Sequence, residues 1–313
     1  MTIAGNDPDL TVSATDDAFH PPTSDDPTWV ETAWFPFWLP DVATSVYARV
    51  WFRPNDNQQG GAVNAWRDEG TVVAYDGWTE PFAHPDLQRL RLDNGFRFEC
   101  LEPLTSYRIR YESEQVDVDI TFRALMEPNP VSPKESPGMF AGHLEQPGRV
   151  TGRVRLRNDR HEVDCASVRD RSWGPRTMRP GIRIGNAHGT AVDGWAFFAY
   201  VNPDQTGREW VTGGYWQEHG RAARIVRGER RTERTGDFAD AVIIDAYDAL
   251  DRHLVVHGRC MNRQALDAGH DLYAVLSLVE WAAADGQVAW GENHDIWSKS
   301  DWQASGRAPL PSR

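Results

Sequence analysis

Along much of this chain apolar and polar residues alternate one for one. In "YRIRY" Tyr107, Ile109 and Tyr111 alternate with Arg108 and Arg110, and in "VDVDITF" Val116, Val118, Ile120 and Phe122 alternate with Asp117, Asp119 and Thr121. In "VTGRVRLR" Val150, Val154 and Leu156 fall opposite Thr151, Arg153, Arg155 and Arg157. A period of two turns one set toward a core and the other toward water, which predicts half-buried strands. "SVYARVWF", "AVIIDAY", "HLVVHG" and "LYAVLSLVEW" add β-rich runs, and "RPNDN", "LDNG" and "NPDQTG" supply turn signals. No stretch combines helical period, caps and length. The pattern predicts an all-β chain of many antiparallel strands, rich in strand and poor in helix, built as a sandwich or barrel.

With 313 residues the chain exceeds the usual size of one core, so two domains are expected. An internal echo fits this. "YARVWFRPNDNQQGGAVNAW" (Tyr47 to Trp66) runs aromatic strand, turn, glycine, then a strand ending in Trp, and "WAFFAYVNPDQTGREWVTGGYW" (Trp195 to Trp216) repeats the order. The Pro-rich "MEPNPVSPKESPGMF" (Met126 to Phe140) cannot hold a central strand and reads as a long excursion, either a surface loop or a lid.

Charge and composition narrow the partners. Lys plus Arg number 33 against 46 Asp plus Glu, a net charge of −13, which disfavours nucleic acid and anionic membrane surfaces. No apolar run is long enough to span a bilayer. The first 28 residues are acidic and rich in Pro and Asp, without the features of a signal peptide, so they predict a flexible arm on a cytoplasmic protein. Cys100, Cys165 and Cys260 fit neither a disulfide framework nor a Cys-based zinc site. The 14 tryptophans fill large aromatic cores or wall a pocket for an apolar ligand, and the two uses are compatible.

No dinucleotide fingerprint, phosphate loop or nucleophile elbow is present. His253 and His257, on the strand that "HLVVHG" predicts, would stand roughly 13 Å apart and could not share an ion. "HEVDC" and "GENHD" hold possible ligands without a recognised metal spacing, so no metal is expected. Three clusters remain. In "VRDRSWGPR" (Val168 to Arg176) Asp170 sits among Arg169, Arg171, Trp173 and Arg176, as a catalytic carboxylate or as part of an Arg/Asp knot tying a domain junction. In "HLEQPGRVTG" an extended chain projects His143 and Glu145 to one face, either as an acid–base pair or as an exposed strand start before a "QPG" turn. In "AWGENHDIW" Glu292 and His294 share a face between tryptophans, where loss of water would raise a carboxyl pKa; the alternative is a β-edge of mixed polarity.

Taken in order, "HLEQPGRVTGRV", "RDRSWGPR" and "WGENHD" resemble segments of the hydroxyneurosporene synthase (carotenoid 1,2-hydratase)-like group and its AttH-like relatives, nearest an uncharacterised bacterial branch. The likeness runs from about Trp29 onward. It implies two tandem lipocalin-like antiparallel β-barrels, spanning residues 29–165 and 166–313 after an arm of residues 1–28. It further implies an enzyme, a lyase (hydratase) or isomerase, working without a cofactor on a hydrophobic small molecule of terpenoid, steroid-like or aromatic type. Asp170, Glu145, His143, Glu292 and His294 are then the candidate proton carriers, and Trp173, Trp195, Trp216, Arg171 and Arg176 the candidate substrate contacts. A lipocalin-like carrier or a pericyclase would need only the apolar pocket, and a homodimer is compatible with either. Fold likeness alone does not choose among these.

Overall fold

A computed structural model describes residues 3–5, 10–68, 70–132, 140–176, 183–236, 238–269 and 272–310. The first half contributes β1 (Trp29–Leu39), β2 (Thr44–Arg53), β3 (Gln58–Arg67), β4 (Thr71–Pro81), β5 (Arg89–Arg91), β6 (Arg97–Glu102), β7 (Ser106–Glu112), β8 (Val116–Ala124), β9 (Asn129–Val131), β10 (Gly142–Leu156) and β11 (Asp159–Pro175). They form one sheet in the order β4-β3-β2-β1-β11-β10-β8-β7-β6-β5, with β9 paired to β10, curled into a half-barrel. The second half contributes β12 (Arg183–Thr190), β13 (Ala196–Pro203), β14 (Glu209–Glu218), β15 (Arg221–Thr235), β16 (Phe238–Asp248), β17 (His253–Cys260), β18 (Gln264–Gly269), β19 (Leu272–Ala283) and β20 (Val288–Ser298), followed by a short helix α1 (Lys299–Ala304). Here the order is β17-β16-β15-β14-β13-β12-β20-β19-β18, and β17 also pairs with β19, closing an eight-stranded barrel. The protein is thus all-β, with 67% strand and 6% helix, in the tandem lipocalin-like arrangement.

The two halves share a plan that matches the sequence echo. Each sheet sets its first strand against its last, β1 on β11 and β12 on β20, and the echoed segments are the hairpins β2–β3 and β13–β14. The boundary expected at residue 165 lies in the middle of β11, which stays in the first sheet to Pro175, while β12 opens the second at Arg183.

Period-two alternation is kept where one face meets water. Tyr107, Ile109 and Tyr111 of β7 are buried, as are Val116, Val118, Ile120 and Phe122 of β8. They pack with Phe35, Phe37, Val46, Phe52 and Val150 inside the half-barrel. Phe197, Val201, Val242, Ile244, Val256 and Trp281 fill the closed barrel. Each such side chain removes roughly 1.5–3 kcal/mol worth of apolar surface from water.

Two expectations are corrected. "QPG" is not a turn, because β10 runs straight through it. Pro147 falls where β9 has ended, at Glu145, and β8 has not begun, at Gly148, so its missing N–H interrupts neither ladder. Gly148 is required there by close approach, since a Cβ would come within 2.2 Å of the Phe122 ring. Nor is the N-terminal arm loose throughout. Ala4 bridges to Ala223, Phe19 packs on Phe52 and Phe82, and His20 stacks on Trp173 at 3.7 Å between ring centroids. In the Pro-rich excursion Asn129–Val131 forms the edge strand β9, and the lid reading concerns residues 133–139, outside the described residues.

The arm docks on buried cations of the sheet. Arg169 and Arg171 project from the inner face of β11 and are almost fully buried. Asp17 accepts from Arg169 Nη1 at 3.2 Å, from Tyr107 Oη at 2.5 Å and from the Leu104 amide at 2.7 Å. Glu31 of β1, fully buried, accepts from Arg171 Nη2 and from the His20 amide. The halves are joined as well. Asn262, between β17 and β18, donates to the Ala43 carbonyl at 2.9 Å and accepts from the Leu278 amide at 3.1 Å, while Asn64 donates to Gln264 at 2.8 Å.

Removing one member of a buried ion pair strands the other. Glu31→Gln is expected to cost about 3–5 kcal/mol of stability, read by chemical denaturation, and deletion of residues 1–20 is expected to be at least as costly because it removes Asp17 and His20 together. A Glu31→Gln protein as stable as the parent would show that the knot is not needed.

Candidate active site

Register brings the functional groups together. On β10 and β11, Glu145 lies directly opposite Asp170 and His143 opposite Ser172. On the other side of β11, Trp34 of β1 is paired with Asp170 and Thr32 with Ser172. Directly paired residues share a face, so these six side chains stand together on the outer face of the half-barrel, and Tyr47 and Arg49 of β2 extend the surface. The outer face of the closed barrel packs against it with Ile184, Asn186 and His188 of β12, Phe198 and Tyr200 of β13, and His294 and Ile296 of β20. Leu266 and Ala268 of β18 and Leu272, Ala274 and Leu276 of β19 complete the wall. The space between is a cavity of about 170 Å³. An apolar pocket inside a barrel was expected; the barrel interiors are instead packed with side chains, and the cavity lies between the two units.

Burial sets the charge states. His143 Nε2 lies 2.8 Å from Glu145 Oε1. Loss of water, and then the nearby Arg176 charge, hold the imidazole down at a pKa of about 3, so it is neutral. Glu145 is pushed well above the usual carboxyl range by burial and then by the Asp170 charge opposite. Burial also raises Asp170, to about 6, against the opposing pull of Arg176, Arg49 and His294. Two facing carboxyl groups in one water-poor corner therefore hold a proton between them near neutral pH. The direction of the His143 Nε2–Glu145 Oε1 hydrogen bond follows the imidazole tautomer, and among the described residues no side chain engages Glu145 Oε2. Arg176, lowered to about 10 by burial, donates to Ser172 Oγ. Burial, then the Glu145 and Asp170 charges, raise Tyr200 well above an ordinary phenol, so it stays a donor.

Of the residues singled out in the sequence, His143, Glu145, Asp170, Arg176 and His294 line the cavity. Glu292 lies beneath His294, with 3.0 Å between His294 Nε2 and Glu292 Oε2. The other substrate contacts are corrected. Arg171 points to the opposite face of β11, into the knot with Glu31, and Trp173, on that same face, stacks on His20. Trp195 and Trp216 belong to the interior of the closed barrel. Tyr47, Arg49, His188 and Tyr200 were not anticipated. They lie on strands whose two faces are both covered, where alternation gives no sign of which face meets a cavity.

A curled half-barrel packed against a closed eight-stranded barrel, with carboxyl and imidazole groups meeting at the junction, defines a tandem β-barrel protein with a mixed polar and apolar cavity. The chain belongs to the family described as a domain of unknown function, DUF7064, whose model matches residues 13–296. Among solved structures, a protein assigned as AttH from Nitrosomonas europaea superposes with a TM-score of 0.67 at 14% identity, covering 94% of this chain and 99% of that one. Kievitone hydratase from Nectria haematococca superposes with a TM-score of 0.55 at 11% identity, covering 95% of this chain and 96% of that one. At these identities the likeness is one of fold. A comparison with curated sequences gives no significant match. Among the described residues no helix is long and apolar enough to cross a membrane.

The raised Asp170 pKa has a stability consequence. The folded protein keeps this proton up to about pH 6, whereas the unfolded chain releases it near the ordinary carboxyl value. Wild type therefore loses stability as pH rises from about 4 to 6, and Asp170→Asn, with no proton to release, does not. The stability difference between the two is expected to move toward the variant by roughly 1–3 kcal/mol between pH 4 and pH 7 in parallel denaturation curves. A difference independent of pH would show that Asp170 is not held in a proton-retaining site.

Proposed function

We propose that the protein is a lyase of hydratase type, or an isomerase, moving protons to and from carbon on a small hydrophobic substrate. The observation that carries this reading is the Glu145–Asp170 pair, two buried carboxyl groups directly opposite each other on paired strands in a cavity with apolar walls, each with its pKa raised by burial. Glu145 donates its proton to one carbon of a double bond, leaving a carbocation at the other. Water adds to that cation, and Asp170 takes the proton released by the added water. Transfer of this proton from Asp170 back to Glu145 restores the starting state, so the net change is addition of one water. Run backwards it is dehydration; with carbon deprotonation in place of water addition it is isomerisation. Acids and bases of matched pKa typically contribute factors of about 10² to 10⁴ each.

His143 orients Glu145, and Arg176 with Arg49 sets the charge on Asp170 and can hold a polar end of the substrate. Trp34, Tyr47 and Phe198 present ring faces suited to a developing cation. The volume admits a substituted ring or a short isoprenoid segment rather than a whole carotenoid, which favours small terpenoid or phenolic substrates. Kievitone hydratase shares the tandem-barrel fold and is by name a hydratase, and the motif likeness to hydroxyneurosporene synthase-like proteins points to the same chemistry; both support the class without fixing the substrate. The apolar walls also suit a carrier, for which the carboxyl pair would be a structural feature.

Incubation with panels of terpenoid, steroid and phenolic alkenes and alcohols, followed by mass analysis, is expected to reveal products that differ by one water or isomers of unchanged mass. Glu145→Gln and Asp170→Asn, which keep side-chain shape, are expected to remain folded and to lose a hundredfold or more in turnover. Unchanged turnover in both variants would overturn the assignment. Tight binding without any chemical change across the panel would favour the carrier.

A further inference from the structure

We propose that His188, Glu292 and His294 form a binding site for one divalent first-row transition ion, zinc being the type case. His188 of β12 and Glu292 of β20 are direct cross-strand partners, and His294 lies two residues further along β20, so the three share one face. Their candidate ligand atoms lie within 4.8 Å of one another, and among the described residues no other group of three or more such side chains converges in this way. Glu292 Oε2 stands 3.0 Å from His294 Nε2 and 3.8 Å from His188 Nε2. Ligands about 2.0–2.2 Å from a tetrahedral ion are roughly 3.3–3.5 Å apart, so these spacings bracket what an ion requires. The two imidazoles meet at 85° with centroids 5.9 Å apart, edge to face rather than stacked.

Hydrogen bonding leaves room for a ligand at this point. His188 is 2% exposed; among the described residues its Nδ1 has no hydrogen-bond partner and its Nε2 only the long 3.8 Å contact to Glu292 Oε2, while fully buried Glu292 has none at Oε1. A histidine serving only to fill a core normally satisfies at least one nitrogen. Rings enclose the cluster. Phe198 lies parallel to His188 with centroids 6.1 Å apart, Trp38 stands 6.2 Å from His188, and Trp34 stands 5.5 Å from His294. Such a layer limits water and restrains the imidazoles, as metal sites require. Two imidazoles and one carboxylate form a donor set suited to zinc and to ferrous, cobaltous or manganous ions, with positions left over. Both histidines line the cavity, so an open coordination position would face the space that also holds Glu145 and Asp170.

This amends the expectation of no metal drawn from "GENHD". That segment supplies two ligands, and the third comes from "NAHGT" on a different strand, a pairing no local spacing reveals. The inference goes beyond the acid–base reading and does not depend on it. The alternative occupant is a proton held within the cluster.

The test uses the full chain, stripped with chelator and dialysed, and titrated with Co²⁺ by visible absorption and with Zn²⁺ by calorimetry. Expected is one equivalent of each ion, a melting temperature that rises with Zn²⁺, and at least a hundredfold weaker binding in His188→Ala and in Glu292→Gln. X-ray absorption of the loaded wild type covers the case of a variant that fails to fold, and is expected to show imidazole scattering from two ligands. Absence of stoichiometric binding, unchanged affinity in folded His188→Ala, or a spectrum without imidazole would overturn the site and leave the proton-neutralised cluster. Because each readout is of the ion alone, these outcomes stand apart from any result on turnover.

Discussion

Two guanidinium groups buried on one face of a single strand govern this molecule. Arg169 and Arg171 are placed among the aromatic side chains of the half-barrel, with Arg169 over the Tyr107 ring at 4.2 Å from its centroid. A cation in such surroundings is costly without a carboxylate beside it. Asp17 arrives from the N-terminal arm, Glu31 from β1, and the backbone carbonyls of Asp16 and Ala18 and the side chain of Gln146 accept further bonds, leaving Arg169 Nη2 and Arg171 Nε without a hydrogen-bond partner among the described residues. These requirements restrain β11 between β1 and β10 in one register. That register places Asp170 opposite Glu145 and beside Trp34 on the reverse face. The charge knot and the cavity are two sides of one strand: in "RDRSWGPR" Arg169 and Arg171 face the knot while Asp170 and Ser172 face the cavity.

The motif glycine next to the cavity follows the same logic. Gly174 adopts a φ of +124°, and a Cβ there would come within 2.4 Å of the Ala141 amide nitrogen. β10 and β11 stay in close pairing up to Gly142 and Trp173 because no side chain stands between them. Shape at this end of the sheet is set by what is absent from the backbone as much as by the charged groups further along.

How much of this could be read from the chain depended on how many faces of each strand are covered. β7, β8 and β10 keep one wet face, and their alternation shows directly which residues form the core. β1 does not: of "WVETAWFPFWL" only Trp34 is not fully buried, so neither periodicity nor polarity separates its core side from its cavity side. The pairs His143/Glu145 and Glu292/His294 were legible because residues two apart on one strand share a face. Their convergence with Asp170 and His188 was not, since it rests on cross-strand register and on the packing of two separate sheets. The tryptophans misled for a related reason. A closed eight-stranded barrel has to be filled, and Trp195 and Trp216 do that work inside it rather than facing a ligand.

The edge of β19 is divided between two strands, β17 along one part and β18 along the other. At the change-over Asn262 hydrogen-bonds to β2's approach at Ala43, and Leu278 enters the core of the half-barrel. The two units are therefore sewn together well away from their covalent connection between Arg176 and Arg183. Jaw-like separation of the cavity walls would tear this seam. Any opening of the cavity that keeps this seam is local, side chain by side chain, with the frame around it unchanged.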